Sequence, residues 1–295
     1  MINRIFTKNK TMKNYLKLAA IILSSFILSC NQNEKNKSTI TSKKPIMERN
    51  EPKEMKFTFQ KTKDWLTKNS SNQKTLNMAL AINRVDENNL KKLDSLVIPT
   101  DFSGDIAYYM PFPLDIKILE EVNKVILFSY NTQAFATYQY GTLTHVGPTS
   151  MGREKDKTPT GLFFTNWKAE ETTSTFNDEW ELKWNFNIEN KLGVGFHEYE
   201  LPGYPASHSC LRLLEKDAKI LYEFADQWVL ENDQVVKLKG TPVIVFGSYD
   251  FSTKKPWYAL TDNPKSLSIS EEQLEKVISP FLQTILKEQA KREKK

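Results

Sequence analysis

The sequence predicts a mainly β fold with a few helices, of the α+β class, and three observations predict it. Residues 123–165 are rich in β-branched and aromatic residues, with short turns between the runs. Residues 215–230 carry apolar side chains at helical spacing. Ser270 opens an S-E-E-Q sequence, which is a capping box at the start of a tail helix. With 295 residues, of which 39% are hydrophobic, the chain is long enough to bury a sizeable core.

The first 30 residues are predicted to be a targeting segment rather than part of the fold. Four lysines precede residues 18–28, an apolar run that is too short to span a bilayer comfortably. The run ends at Leu28-Ser29-Cys30, which resembles a bacterial lipobox, whose cysteine is diacylated and becomes the mature N-terminus. We expect lipidation of Cys30 and a lipid-anchored protein; the alternative is a simple secretory signal with an incidental cysteine.

Two segments are predicted between this leader and the β-rich region. Residues 31–54 are polar and charged, which is typical of a flexible tether. Residues 55–121 are expected to form a small N-terminal α/β unit, in which residues 80–99 predict a helix, a second helical turn and a strand that ends at Pro99. This stretch resembles part of a LysM repeat, a peptidoglycan-binding module, so the unit is either a degenerate module or a structural appendage.

The central region, residues 122–248, is predicted to be the main domain. Its first three strands form an antiparallel meander, because tight reversals separate them. The predicted strands are 123–130, 133–141, 142–150, 162–167 and 241–248. Residues 168–196 are polar and rich in tryptophan, which predicts either a lid over a functional site or a surface hairpin.

The C-terminal extension, residues 249–295, is predicted to contain the tail helix and to end in a solvated charge run. Pro280 lies inside this helix and is expected to kink or restart it.

Composition and motifs argue against several classes of function. The net charge is +5 without an Arg-rich stripe, which disfavours nucleic-acid binding. The chain has no P-loop and no dinucleotide fingerprint, so no cofactor is expected. We also expect no metal, because the sequence around the histidines and the cysteine favours another chemistry, and we expect a monomer.

Residues 197–212, HEYELPGYPASHSCLR, are the most informative segment of the chain. They contain His197 and His208, two of the three histidines, and Cys210, the only cysteine outside the leader. A lone thiol near imidazoles is how proteins build a cysteine nucleophile, since the histidine takes the proton and holds the thiolate. The segment therefore predicts a cysteine-dependent enzyme with an ionised sulfur beside an imidazole.

The run from Ser207 to Arg212, SHSCLR, resembles the [S/T]-H-G-C-[apolar]-[R/N] motif of the YkuD-type L,D-transpeptidases. Three features agree with this resemblance. A histidine lies thirteen residues before Cys210, a Thr-Pro-Thr-Gly turn occupies residues 158–161, and residues 123–141 are similar to the family's first hairpin. The resemblance implies a YkuD-like β-sandwich over residues 122–248.

The resemblance also implies roles for individual residues. Cys210 is the implied nucleophile, and His197 is the implied base, with its ring oriented by a backbone carbonyl. The backbone N–H groups of Ser209 and Cys210 are implied to stabilise the oxyanion. His208 is implied to shape the site by hydrogen bonding, or else to be a structural histidine.

Three further expectations concern the flanks of the motif. Arg212 is expected to bind a stem carboxylate or to pair with an acid of the fold, and Ser207 is expected to bind substrate. Ser209 departs from the family's usual glycine, which allows positive φ, so a side chain here costs roughly 1 kcal/mol.

The implied function is peptidoglycan L,D-transpeptidation in the cell envelope, on the periplasmic or cell-wall side. The implied partners are peptidoglycan peptide stems and the membrane that holds the lipid anchor. Two alternatives stay open at this point. One is an L,D-carboxypeptidase or hydrolase on wall peptides, and the other is a catalytically silent peptidoglycan-binding lipoprotein.

Overall fold

A computed structural model of the protein describes residues 44–173, 181–252 and 255–294. Residues 43–295 form one compact unit. The predicted leader with Cys30, and residues 31–43 of the predicted tether, lie outside the described residues. None of the helices within the described ranges has the length and the apolar character that crossing a bilayer requires.

The N-terminal region is a two-stranded sheet with helices between its strands. Its elements are β1 (Phe57–Lys61), α1 (Thr62–Asn69), α2 (Gln73–Asn83), α3 (Glu87–Leu90) and β2 (Ser95–Pro99), with β1 and β2 antiparallel. The side chains of Asn72 and Asp86 accept hydrogen bonds from the first turns of α2 and α3, so each helix begins at a capped residue. The helix, helical turn and strand predicted for residues 80–99 are confirmed.

The central region contains two larger sheets. The five-stranded sheet has the order β5-β4-β3-β13-β6, and the four-stranded sheet has the order β10-β9-β8-β7. The strands are β3 (Val125–Ser129), β4 (Ala134–Gln139), β5 (Thr142–Pro148), β6 (Gly161–Phe164), β7 (Lys168–Thr173), β8 (Glu181–Glu189), β9 (Val194–Glu198), β10 (Leu211–Leu213) and β13 (Pro242–Phe246). The antiparallel meander β3-β4-β5 is confirmed, and β13 joins it parallel to β3.

The two sheets share a hydrophobic core. Phe128 and Phe135 of the five-stranded sheet pack with Phe186 and Phe196 of the four-stranded sheet, and all four rings are fully buried. The opposite face of the five-stranded sheet packs against the C-terminal helix, α5 (Glu271–Glu293). This arrangement confirms the predicted α+β sandwich with an N-terminal α/β appendage and a C-terminal helix.

The predictions for the two helices that follow the motif have different outcomes. The capping box of α5 is confirmed, because Ser270 and Gln273 exchange side-chain and backbone hydrogen bonds, and the helix continues through Pro280 without restarting. The helix predicted for residues 215–230 is too long, because α4 (Glu215–Phe224) ends early. The next backbone groups bond elsewhere: the N–H of Asp226 donates to Thr241 Oγ1 at 2.8 Å, and its carbonyl accepts from Thr165 Oγ1 at 2.6 Å.

Shorter elements complete the described chain. After α4 follow β11 (Val229–Asn232) and β12 (Val235–Leu238), which form an antiparallel pair. The 3-10 helices are Ile106–Tyr108, Lys117–Leu119 and Pro256–Thr261.

The prediction of a flexible tether is wrong for residues 44–54, which contact the folded body. The Arg49 guanidinium donates to the carbonyl of Leu143. The carbonyl of Asn50 accepts from the N–H of Asp105 at 2.8 Å. The polar, aromatic-poor composition of this segment does not predict these hydrogen bonds, because their partners lie far away along the chain.

Arg84 connects three regions of the compact unit. It is only 1% exposed and adopts a left-handed backbone with φ of 58° at the end of α2. Its Nε donates to the carbonyl of Thr132 at 2.9 Å, and its guanidinium lies 5.4 Å from the ring centre of Trp257. Burial lowers the pKa of Arg84 to about 9. The side chain therefore joins the appendage, the β3–β4 turn and the C-terminal extension.

Substituting Arg84→Ala is expected to lower the free energy of unfolding by about 3 kcal/mol, because it leaves a void and an unpaired carbonyl. Urea denaturation followed by circular dichroism would measure this loss. The exposed ion pair of Lys276 with Glu272 provides the control, since Lys276→Ala is expected to change the same free energy by less than about 1 kcal/mol. Equal losses in both variants would contradict a connecting role for Arg84.

Candidate active site

The parallel pairing of β9 with β10 brings the motif residues together. Arg212 on β10 pairs with His197 on β9, so Cys210, just before β10, lies next to Gly195. Successive side chains of a strand point to opposite faces. Since Phe196 and Leu211 face the core between the sheets, Cys210, Arg212 and His197 share the opposite face.

His197 is held in one orientation and one tautomer. The side chain is 4% exposed, and its Nδ1 lies 2.8 Å from the carbonyl oxygen of Glu198. A carbonyl only accepts, so Nδ1 carries the hydrogen and Nε2 keeps its lone pair. Burial, and secondarily the charge of Arg212, lower the pKa of His197 to about 4. At neutral pH His197 is therefore an uncharged base, oriented by a backbone carbonyl.

Cys210 is half-buried at the edge of the same face. Its thiol donates to the carbonyl oxygen of Gly193, with the Sγ atom 3.8 Å from that oxygen. Burial raises the pKa of Cys210, and the Gly195 N–H and the charge of Arg212 only partly oppose this effect. Within the described residues no hydrogen bond joins Cys210 to His197. The expectation of an ionised resting sulfur is therefore wrong, because desolvation favours the neutral thiol.

Cys210 lines a cavity of about 350 Å³. Trp167, Trp228 and Leu182 give it apolar walls, and threonine and asparagine side chains provide its polar groups. No charged side chain lines it in the part of the chain that the structure describes. The antiparallel strands β7 and β8 supply half of the lining residues, so part of the segment 168–196, predicted to be a lid or a surface hairpin, lies beside Cys210. Residues 174–180 of this segment lie outside the described residues.

Ser207 was expected to bind substrate, but it does not line this cavity, and its side chain is bonded within the fold. The side chain is 1% exposed, and its hydroxyl donates to the carbonyl of Cys210 at 2.5 Å. Its backbone N–H donates to Met151 at 3.0 Å, and its carbonyl accepts from Arg153 at 3.0 Å. Ser207 therefore fixes the loop that carries the cysteine.

Ser209 adopts the left-handed backbone that a glycine would favour, with φ of 82°. Its hydroxyl donates to the carbonyl of Asp156 at 3.2 Å, and its own carbonyl accepts from Thr158 Oγ1 at 2.9 Å. These bonds offset part of the strain of a Cβ at positive φ. Neither the N–H of Ser209 nor that of Cys210 donates to another described residue, so both are available to a ligand.

Ser209→Gly and Ser209→Ala are expected to differ in stability by about 1 kcal/mol, with glycine the more stable. Both variants lose the bond to Asp156, but only alanine keeps the strained Cβ. The midpoint of thermal unfolding measures the difference. An alanine variant as stable as the glycine variant would show that the positive φ at residue 209 carries no strain.

His208 and Arg212 flank Cys210 in the sequence, each two residues away from it. Burial lowers the pKa of His208, with a smaller contribution from the charge of Arg153. The guanidinium of Arg212 lies 4.4 Å from the ring centre of Tyr199, whose ring in turn meets His197 edge-on at 6.0 Å. Arg212 forms no ion pair with another described residue. The alternative in which Arg212 pairs with an acid of the fold is therefore wrong for the described residues.

Other candidate groups have structural partners. The third histidine, His145, lies 2.9 Å from the buried carboxylate of Asp217, on β5 and away from the motif. Among the described residues no group of three or more His, Cys, Asp and Glu side chains is arranged to hold a metal ion.

Two site residues escaped the sequence analysis. Thr158 belongs to the Thr-Pro-Thr-Gly turn, and its hydroxyl links the loop of Ser209 to the N–H of Gly152 at 2.9 Å. The turn is a recognisable sequence motif, but the motif does not predict the hydrogen bonds that Thr158 forms. Asn185 lines the cavity from β8, and no local pattern in residues 168–196 distinguishes it from its neighbours.

Comparison with known proteins finds a family model that matches the central region. Residues 123–245 match the family model YkuD, described as the L,D-transpeptidase catalytic domain. No curated protein matches the chain.

Solved structures with similarity to the chain include three L,D-transpeptidases. The one from Stackebrandtia nassauensis is 24% identical, with a TM-score of 0.36, and the match covers 43% of this chain and 57% of that chain. The Mycobacterium smegmatis enzyme is 20% identical over 43% and 59%, with a TM-score of 0.34. The Mycobacterium tuberculosis H37Rv enzyme is 22% identical over 43% and 58%, with a TM-score of 0.34. The chain thus spans less than two thirds of these proteins. The similarity to the YkuD family, whose model describes an L,D-transpeptidase catalytic domain, is thus shown for residues 123–245.

Proposed function

We propose that the protein is a peptidoglycan L,D-transpeptidase whose nucleophile is Cys210 and whose base is His197. The observation that carries the proposal is the shared sheet face, where the sulfur borders a cavity and the buried imidazole keeps its Nε2 lone pair. Both groups are neutral at rest, since burial raises the pKa of the thiol and lowers that of the imidazole. The pair is therefore suited to proton transfer during attack rather than to storing a thiolate.

Acylation follows from these protonation states. Cys210 Sγ attacks the carbonyl between the L-centre of diaminopimelate and the terminal D-residue of a tetrapeptide stem, and His197 Nε2 takes the thiol proton. The N–H groups of Ser209 and Cys210 donate to the oxyanion. The amide bond breaks, the proton passes from His197 to the leaving amine, and the D-residue departs. A thioester on Cys210 remains.

The second half of the reaction uses an amine as acceptor. The side-chain amine of a diaminopimelate on another stem attacks the thioester, and His197 takes its proton. The carbon–sulfur bond breaks, the proton returns to the sulfur, and a 3→3 cross-link forms. If water reaches the thioester first, the same chemistry is an L,D-carboxypeptidase reaction.

The flanks of the sulfur provide substrate recognition. Arg212 is without an ion pair among the described residues, so we assign it a carboxylate of the stem. His208 shapes the opposite side by hydrogen bonding. Lipidation of Cys30 would hold a monomeric enzyme at the membrane, facing the peptidoglycan.

The reaction is tested by incubating the protein with disaccharide tetrapeptides and analysing the products by mass spectrometry. Cross-linked dimers together with the released D-residue are expected. Tripeptides alone would identify the carboxypeptidase instead. If no product forms and the thiol does not react with a carbapenem, the protein is a silent wall-binding lipoprotein and the proposal is wrong.

A further inference from the structure

The cavity beside Cys210 contains a buried hydrogen-bond donor without a partner. Asn185 on β8 is 4% exposed and lines the cavity. Its Nδ2 is buried and has no hydrogen-bond acceptor within the described residues. Buried polar groups in native proteins are nearly always paired, so an unpaired one adjoining a cavity indicates a missing ligand group.

Asn187 provides a comparison within the same strand. It is also 4% exposed and lines the same cavity, but both ends of its amide are paired. Its Nδ2 donates to the carbonyl of Glu189 at 3.2 Å, and its Oδ1 accepts from Asn166 at 3.0 Å. Asn187 is thus satisfied by the fold, whereas Asn185 keeps a donor that the fold does not use.

The strand register places this donor near the nucleophile. Asn187 pairs with Gly195 on β9, and Gly195 in turn lies next to Cys210. Asn185 is two residues away from Asn187, so it points to the same face one step along the strand. The strand bulges immediately before it, where Trp184 has φ of 54°. Bulges beside functional sites commonly redirect a side chain.

The chemistry of the cavity selects the kind of acceptor. No charged side chain lines it among the described residues, so a carboxylate placed there would lose its hydration without gaining a counter-charge. A peptide carbonyl oxygen is a neutral acceptor and needs only one N–H donor. The tryptophan walls pack against apolar groups of the same ligand.

We propose that Asn185 is a substrate-positioning residue whose Nδ2 donates to a backbone carbonyl oxygen of the acyl-donor peptide. This role rests on the proposed function, because the peptide that occupies the cavity is the one that Cys210 attacks. The bond holds the scissile amide at the sulfur without taking part in bond making or breaking.

The test measures equilibrium binding of the free tetrapeptide to the full-length Cys210→Ala protein by calorimetry, with and without Asn185→Ala. Asn185→Ala is expected to weaken binding by about 10-fold, the value of one lost hydrogen bond. Its thermal midpoint is expected to stay equal or to rise, because the Asn185 side chain has no hydrogen bond with another of the described residues. Asn187→Ala is the matched control and is expected to lower the thermal midpoint, since two bonds are lost.

A second measurement separates positioning from damage to the site. With Cys210 present, the rate of alkylation by iodoacetamide is expected to be the same with and without Asn185→Ala, because that reagent does not need the donor. Unchanged peptide affinity in Asn185→Ala, or no peptide binding even with Asn185 present, would overturn the inference. Binding that depends on Asn185, without cross-linked or trimmed products from the intact enzyme, would overturn the proposed function and leave Asn185 as a peptide-binding residue only.

Discussion

Cys210→Ala is expected to reduce cross-linking at least about 1,000-fold and to abolish the mass increase that a carbapenem produces on the intact protein. The chain has two cysteines, and Cys210 is the one that lines the cavity, so the thioester is expected on Cys210. Intact-protein mass spectrometry detects the adduct, and product analysis with disaccharide tetrapeptides measures the activity.

The design of the control matters because Cys210 is partly packed. Cys210→Ser keeps the size and the hydrogen-bonding capacity of the side chain, so a loss of acylation in both variants cannot be attributed to a collapsed site. Both variants are expected to unfold at a temperature close to that of the unmodified protein. A carbapenem adduct on the alanine variant would show that another group is the nucleophile, and the proposed mechanism would then be wrong.

Local patterns predicted the elements whose cause is local. The meander β3-β4-β5 follows from β-rich runs separated by tight reversals, and α5 begins at Ser270 because the capping box is contained within four residues. The expected catalytic region, residues 122–248, lies close to the matched segment 123–245 because the motif and the first hairpin are both short sequence features.

The predictions that failed depend on partners far away in the sequence. The helix after the motif ends at Phe224 because Asp226 bonds to Thr165 and Thr241, residues that no helical periodicity includes. Ser207 has the position of a substrate-binding residue in the motif, yet its hydroxyl is used by the carbonyl of Cys210. Spacing along the chain does not show which hydrogen-bond donors are already paired within the fold.

The protonation of the site is the clearest example of such a nonlocal effect. A cysteine near histidines predicted a thiolate, since a neighbouring imidazole stabilises one. In the structure, strands and loops from several regions bury both Cys210 and His197, and desolvation opposes charge on each. Asn185 could not be predicted for a related reason, because its unpaired amide becomes meaningful only once β8 is paired with β9.

His197→Ala is expected to slow carbapenem acylation at neutral pH by about 100-fold or more, because the thiol proton loses its acceptor. In the unmodified protein the acid limb of acylation is expected near pH 4 rather than near 6.5, since the free imidazole protonates only at about 4. Stopped-flow measurement of the acylation rate between pH 3.5 and 8 tests both statements. An acid limb near 6.5 would show that the imidazole is exposed to solvent during turnover, which contradicts its burial.

The lowered pKa of His197 also predicts how the free energy of unfolding depends on pH. The direction follows from comparing the protons bound by the folded and the unfolded chain. The pKa of His197 falls from 6.5 in the unfolded chain to about 4 in the folded protein, so below pH 6.5 the unfolded chain binds a proton that the folded protein excludes. Stability is therefore lost as the pH drops from 6.5 and the loss is complete below about 4, where it reaches about 3 kcal/mol at ~1.36 kcal/mol per pH unit. His197→Asn has no titrating ring, so its free energy of unfolding is expected to vary less over this range. Parallel pH profiles of the two proteins in urea denaturation would mean that folding does not change the pKa of His197, which would contradict its desolvation in the folded protein.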